Sequence, residues 1–125
     1  MSAAKRTFLA EADRDATVQA LQENLVDLID LALQGKQAHW NLAGPQFRSV
    51  HLELDEIIAT ARAGSDEVAE RMATLGSAPD GRVDVVKSST RLEPYPGGFQ
   101  TVEATVTAYA DRLAVTIEGL RKSIA

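Results

Sequence analysis

Residues 44–76, GPQFRSVHLELDEIIATARAGSDEVAERMATLG, decide how the rest of the chain is read. Gly44 and Gly76 bracket the stretch, Pro45 suits a first helical turn, and Phe47, Val50, Leu54, Ile57, Ile58, Val68, Met72 and Leu75 recur at helical spacing. The pattern predicts one long helix over residues 45–75. Four side chains able to ligate a metal lie in it as two i,i+4 pairs, His51 with Asp55 and Asp66 with Glu70. At about 100° per residue all four fall within an arc of roughly 100°, so they share one stripe.

One copy of this helix cannot bring both pairs to one ion. Asp55 and Asp66 stand about 16 Å apart along the axis at ~1.5 Å per residue, whereas ligands sit about 2 Å from a metal. The pattern nevertheless has a centre, because 51 with 70 and 55 with 66 share the midpoint 60.5. Two copies packed antiparallel about a two-fold axis near Thr60 and Ala61 would set His51 and Asp55 of one against Asp66 and Glu70 of the other. Ala59, Thr60, Ala61, Ala63 and Gly64 lie around that centre and are small enough for close approach. Such an isologous contact makes two equivalent sites per dimer. Either pair alone is ordinarily a solvated or capping pair on a helix surface; the symmetric placement raises the metal reading above that.

The remaining chain supplies the surroundings. The stretch from Asp15 to Leu42 predicts a first helix with a core stripe of Val18, Leu21, Leu25, Leu28, Ile29, Ala32 and Leu33, capped by Asp15 or Thr17. Near its end stands KQAHWN, Lys36 to Asn41, with the only tryptophan and one of two histidines. A lone histidine beside a tryptophan is more often a hydrogen-bonded core residue than a ligand. The turn at Gly44–Pro45, however, brings His39 back to His51, so His39 reads as a third ligand and Trp40 as packing beside the site. Residues 76–97 carry Pro79-Asp80-Gly81, Pro94, Pro96 and Gly97, and read as a crossover with a short helix around Val83 to Ser88. A crossover of that length joins parallel helices. From Gly98 to the end, Phe99, Val102, Val106, Tyr109, Leu113, Ile117, Leu120 and Ile124 step by helical spacing. Three amphipathic helices and one long crossover amount to three-quarters of a four-helix bundle.

Composition narrows the function. A chain of 125 residues with 45% hydrophobic and 25% charged residues is one globular domain, here residues 15–125, preceded by a polar tail expected to be mobile over 1–14. The net charge of −5 argues against a general basic nucleic-acid surface and suits accumulation of cations. Lys5 and Arg6 in the tail could make only weak, salt-dependent phosphate contacts. There is no cysteine, so no disulfide or thiolate metal site, and a reducing cytosol is the expectation. No signal-peptide core and no membrane span is legible. The reading is a cytoplasmic protein without membrane contact.

These residues resemble the Dps mini-ferritins, the DNA-binding proteins from starved cells. The similarity rests on KQAHWN, then Gly44 and Phe47, then His51-x3-Asp55-Glu56, Asp66-x3-Glu70-Arg71, Leu75-Gly76 and Pro79-Asp80-Gly81. It covers Leu25 to Gly81 strongly and the last helix weakly. The resemblance implies an all-α, ferritin-like four-helix bundle with a long crossover carrying a short helix, the fourth helix being absent from this chain. It also implies hollow dodecamers of two-fold dimers, and a ferroxidase centre of His39, His51 and Asp55 from one subunit with Asp66 and Glu70 from its partner. Trp40 would stand beside that centre, and Glu56 would be an inner-surface acid for mineral nucleation. Family members oxidise Fe(II), often with hydrogen peroxide, and store Fe(III) mineral; many protect DNA, some by binding it. The cage contacts and acidic pores that draw on the fourth helix do not carry over, and the basic tails of DNA-binding relatives are minimal here.

Imidazole and carboxylate donors suit Fe(II), anionic oxygens favour the Fe(III) product, and the same set would also bind Zn(II). The leading expectation is therefore a ferroxidase and iron-storage subunit in the cytoplasm. The alternatives are a nucleoid protein that protects DNA by binding it, and a structural, metal-bridged dimer without turnover.

Overall fold

The computed structural model describes residues 9–124; residues 1–8 of the expected tail, Lys5 and Arg6 among them, lie outside the described residues, as does Ala125. The elements run α1 (Glu11–Trp40), β1 (Leu42–Ala43), α2 (Phe47–Thr74), α3 (Val83–Ser89), β2 (Gln100–Thr101) and α4 (Val102–Ile124). The long helices and the crossover with its short helix are those expected from the apolar spacing.

Boundaries differ where local chemistry overrides the pattern. α1 begins at Glu11 instead of near Asp15, without a side-chain cap at Ala10, and the Thr17 hydroxyl donates to the Asp13 carbonyl instead of capping. Its opening turns are held by Arg14, whose Nε donates to Leu75 O at 2.7 Å and whose Nη2 donates to Gly76 O at 3.1 Å. Pro45 stays outside α2, because Gln46 takes a left-handed conformation (φ 65°) at the N-cap and helical geometry starts only at Phe47. At the other end Gly76 (φ 82°) closes α2 in a Schellman turn: Ser77 N donates to Met72 O and Gly76 N to Ala73 O, both 3.0 Å. The last helix starts at Val102 and not near Gly98, since Gln100 and Thr101 pair in parallel with Leu42 and Ala43.

α1 is the central rod. Its middle turns are buried nearly all round because α2, α4 and the crossover each cover a side. The core joins Leu28, Leu31, Ala32 and Ala38 of α1 to Leu54, Ile58 and Ala61 of α2, with Leu92 and Tyr109 closing it. Each leucine or isoleucine among them contributes about 1.5–3 kcal/mol on burial. α1 and α2 meet closely at Gly35, where a Cβ would stand 2.6 Å from Ile58 Cγ1 and 2.7 Å from the Tyr109 hydroxyl. That hydroxyl donates to Leu31 O at 2.9 Å, and burial pushes its pKa well up. Asn24 of α1 reaches Ser123 near the end of α4 at 2.6 Å, whereas Leu31, later in α1, meets Tyr109 near the start of α4, so α4 runs antiparallel to α1. It therefore runs parallel to α2, as the crossover length predicts.

The crossover is fastened by polar groups. Asp27, 1% exposed, accepts from Arg91 N at 3.0 Å and Arg91 Nε at 2.8 Å, while Asp30 accepts from the Thr90 hydroxyl at 2.7 Å. Gln34 donates to Glu93 O at 2.9 Å and accepts from Arg112 Nε at 2.9 Å. Buried charge persists because it is fully partnered.

The apolar seam of α4 is used differently from its sequence reading. Thr105, Thr116 and Gly119 are buried, while Val106 and Ile117 are half exposed and Phe99 and Ile124 stand in solvent. Leu33 of α1, expected in the core, is likewise exposed. Val50 and Ile57 of α2 and Val106, Leu113, Ile117 and Leu120 of α4 line an open apolar groove between the two parallel helices.

Candidate metal centre

The tight turn from α1 into α2 lays the end of one helix against the start of the other, and both histidines of the chain meet there. The His39 and His51 rings stack with centroids 3.5 Å apart and planes within 13°. Phe47 stacks on His51 at 4.8 Å, so His51 is held between an aromatic ring and an imidazole. Each histidine is also bonded to the other's backbone: His39 Nδ1 lies 2.7 Å from His51 O, and His51 Nδ1 lies 3.0 Å from His39 O. A carbonyl oxygen only accepts, so both Nδ1 atoms carry the proton. In the neutral ring Nε2 then keeps its lone pair for a metal, the arrangement by which outer bonds fix a ligating imidazole.

Asp55, one turn beyond His51, joins this group. Its Oδ2 lies 3.7 Å from His39 Nε2, and its Oδ1 accepts from Lys36 Nζ at 2.6 Å. The Lys36 ammonium, with the two imidazoles as lesser influences, holds the Asp55 carboxyl below its usual range although partial desolvation opposes this. His39 is buried, His51 half-buried and Asp55 45% exposed at its side chain. A fixed pair of Nε2 donors beside an ionised carboxylate is chemistry that fits Fe(II).

Asp66 and Glu70 are not in this cluster. They lie exposed further along α2 on the side that carries Asp55, and neither carboxylate has a hydrogen-bond or ion-pair partner among the described residues. Among the described residues no three His, Asp or Glu side chains group tightly enough to hold a metal within one chain. Trp40, next to His39 in sequence, presents 66% of its surface to solvent, and Glu56 is exposed beside Ile57 at the groove.

The centre of α2 needs a correction. Ala61 is buried in the chain's own core, and a Cβ on Gly64 would meet Leu28 at 3.7 Å. Thr60 lines the groove. The small residues left on the outward side are Ala59 and Ala63, with Arg62 between them. Sequence reasoning also passed over Lys36; its place one turn before His39 was visible, but its aim at Asp55 depends on how closely the two helices approach.

Three long helices with a crossover between the parallel pair, and two histidines meeting a carboxylate where α1 and α2 face each other, are the features of a ferritin-like protein. The model of the ferritin-like domain matches residues 18–125. The DNA protection during starvation protein of Agrobacterium fabrum is 37% identical over 111 residues, covering 89% of this chain and 68% of that protein. The protein of the same name from Mycolicibacterium smegmatis is 35% identical over 116 residues, covering 93% and 63%. The solved structure of Mycobacterium smegmatis Dps in its tetragonal form superposes with a TM-score of 0.90 at 35% identity, covering 94% of this chain and 72% of that one. The chain belongs to the Dps family of ferritin-like proteins. It spans about two thirds of the length of these curated relatives and 36% of a third, from Deinococcus radiodurans. No helix among the described residues is long and apolar enough to cross a membrane.

Proposed function

We propose that this chain is a subunit of an iron-storing and iron-detoxifying assembly that oxidises Fe(II), with hydrogen peroxide as oxidant, at a di-metal site shared by two subunits. The observation that carries the reading is the asymmetry of α2. His39, His51 and Asp55 converge within one chain, with both Nδ1 atoms bonded to carbonyls and His39 Nε2 facing Asp55, while the carboxylates of Asp66 and Glu70 stand on the same side of the helix without partners among the described residues. Half a site is built; half is offered outward. A second copy antiparallel across Ala59 and Ala63 would bring the halves together and make two equivalent sites per dimer.

Fe(II) is the substrate. Two Fe(II) ions give one electron each to hydrogen peroxide, its O–O bond breaks, two protons are taken up, and two Fe(III) ions and two waters result. The five side chains, His39, His51, Asp55, Asp66 and Glu70, hold the ions, and anionic oxygen favours the ferric product. Trp40, exposed in the single chain, would be covered by the second subunit beside the site. Glu56, on the groove side, would offer carboxylate to growing mineral. The family relation supports a cage, expected as a dodecamer, and the same donors would admit Zn(II) as a competing occupant.

The test is complementation. The doubly substituted chains His51→Ala with Asp55→Ala, and Asp66→Ala with Glu70→Ala, should each lose the fast rise in ferric absorbance when Fe(II) and peroxide are added. Mixed and reassociated, random pairing makes half of the dimers hybrid with one intact site each, so about a quarter of the sites return. A mixture as inactive as its components rejects the shared site.

The relatives named for DNA protection raise a second reading, direct DNA binding. A net charge of −5 opposes it, and a gel shift at moderate salt should show little retardation. Zinc-dependent dimerisation without iron oxidation would favour a purely structural metal over both.

A further inference from the structure

We propose that the trough between α2 and α4 is a self-docking surface: two copies of this chain each lay their α4 into the other's trough, antiparallel about a two-fold axis near Leu113. Both helices pack on α1 but barely on one another, which leaves the gap between them open. Its floor is apolar, with Val50 and Val106 in one half and Val68, Ile117 and Leu120 in the other. Glu53, Ile57 and Leu113 line both halves, so the trough is continuous along the pair. Val106 and Ile117 keep 52% and 48% of their surface in water, and adjoining exposed side chains of this kind mark an interaction surface.

The order of charges on the rim identifies the occupant. α2 offers Glu53 and Glu56 toward its start and Arg71 in its last turn, with Glu67 one turn before that arginine. α4 repeats the order, with Glu103 in its first turn and Arg121 and Lys122 in its last. Because the helices run parallel, the trough is acidic at one end and basic at the other. Turned end for end, a second copy is its complement. Val106 and Leu120 are equidistant from Leu113, so reversal there sets Val106 of one copy against Leu120 of the other. Glu53 shares its half of the trough with Val106, and Val68 shares the other half with Leu120, which fixes the level of α4 against α2. The incoming α4 therefore carries Arg121 and Lys122 to Glu53 and Glu56, and Glu103 to Arg71. The exchange occurs twice per pair. Ala110 and Ala114, both exposed, are small enough for the two α4 helices to approach closely. None of Asp55, Ala59, Asp66 and Glu70 lines the trough, so this surface stands apart from the shared metal site.

The experiment reads the distance between the two α4 midpoints, whatever the size of the assembly. The chain has no cysteine, so Ala114→Cys in the full chain carries a single nitroxide. With a chelator present, the labelled chain should show spin–spin broadening, which requires labels within about two helix diameters, ~20 Å, at concentrations up to ~100 μM. Two charge variants on this background decide the occupant. Glu53→Lys with Glu56→Lys, and Arg121→Glu with Lys122→Glu, should each raise the midpoint concentration at least about tenfold, because like charges then meet. Mixed in equal amounts they should regain the broadening, since opposite charges face each other again at both ends. No broadening in the labelled chain, variants that pair unchanged, or a loss that mixing does not restore each overturns the proposal. Far-ultraviolet dichroism confirms that every variant is folded. The five metal ligands are untouched and no metal is present, so failure here leaves the shared-site reading standing.

Discussion

The two ligand pairs of α2 stand in opposite circumstances. His51 and Asp55 are fixed by neighbours from α1: an imidazole stack, two bonds to backbone carbonyls and a lysine. The carboxylates of Asp66 and Glu70, on the same rod and the same side, have no hydrogen-bond or ion-pair partner among the described residues. On the proposed shared-site reading, one half of the centre is organised by folding and the other would wait for assembly. Substitutions in the two halves should consequently look alike in chemistry and unlike in stability.

The largest effect is on chemistry, where the contrast should vanish. Removing either pair is expected to slow the fast ferric phase by about a hundredfold or more, measured by stopped-flow absorbance. A variant at Asp66 and Glu70 that still oxidised Fe(II) quickly would break the symmetry between the halves. Next comes packing beneath the built half. Gly35→Ala drives a methyl into Ile58 and the Tyr109 hydroxyl, at a cost of about 1–3 kcal/mol in denaturant unfolding. Parting α1 from α2 there should also loosen the histidine stack and weaken metal binding. One heavy atom added at the outward Ala63, as Ala63→Ser, should stay within about 0.5 kcal/mol in the unfolding of the single chain.

Smaller still is the difference between the halves themselves. His51→Ala deletes a bond to His39 O and its ring contacts, and is expected to cost about 1–2 kcal/mol, whereas Asp66→Ala should cost no more than about 0.5. Thermal or urea unfolding of the single variants checks this. Last is a pH effect confined to the built half. The folded-state pKa of Asp55 lies below its ordinary value, so the stability it contributes is fully present above about pH 4 and fades as pH falls through the lower folded value. Asp55→Asn should be less stable than wild type at pH 6, with the gap narrowing as acid protonates the carboxylate.

Much of this architecture was legible because apolar spacing over long helices leaves little freedom. The stripe from Leu54 through Ile58 to Met72 fixed one side of α2, and the Pro- and Gly-rich crossover required parallel helices around it. The convergence of His39 and His51 followed from a turn too short to separate them. What stayed hidden shares one cause: a polar residue on a helix does not announce its partner. Asp27 reads as solvated surface until Arg91, distant in sequence, is folded over it. Lys36 reads as one of many lysines until Asp55 lies beside it. Thr105, Thr116 and Gly119 are too weakly apolar to mark the buried face of α4, so its stronger hydrophobes at Val106 and Ile117 drew the seam toward the groove. A two-residue strand pair, Leu42–Ala43 with Gln100–Thr101, leaves no periodicity to detect at all.

The sealed end of α2 bears on how two molecules recognise each other. Helices fray from their tips, and Glu70 stands little more than a turn from the last helical residue, Thr74. The glycine at 76 and the arginine reaching across from the neighbouring helix stitch that tip shut. On the proposed reading, a carboxylate offered to another subunit's metal would thus be held ready on a stiff arm before the meeting, with little motional freedom left to surrender when it occurs.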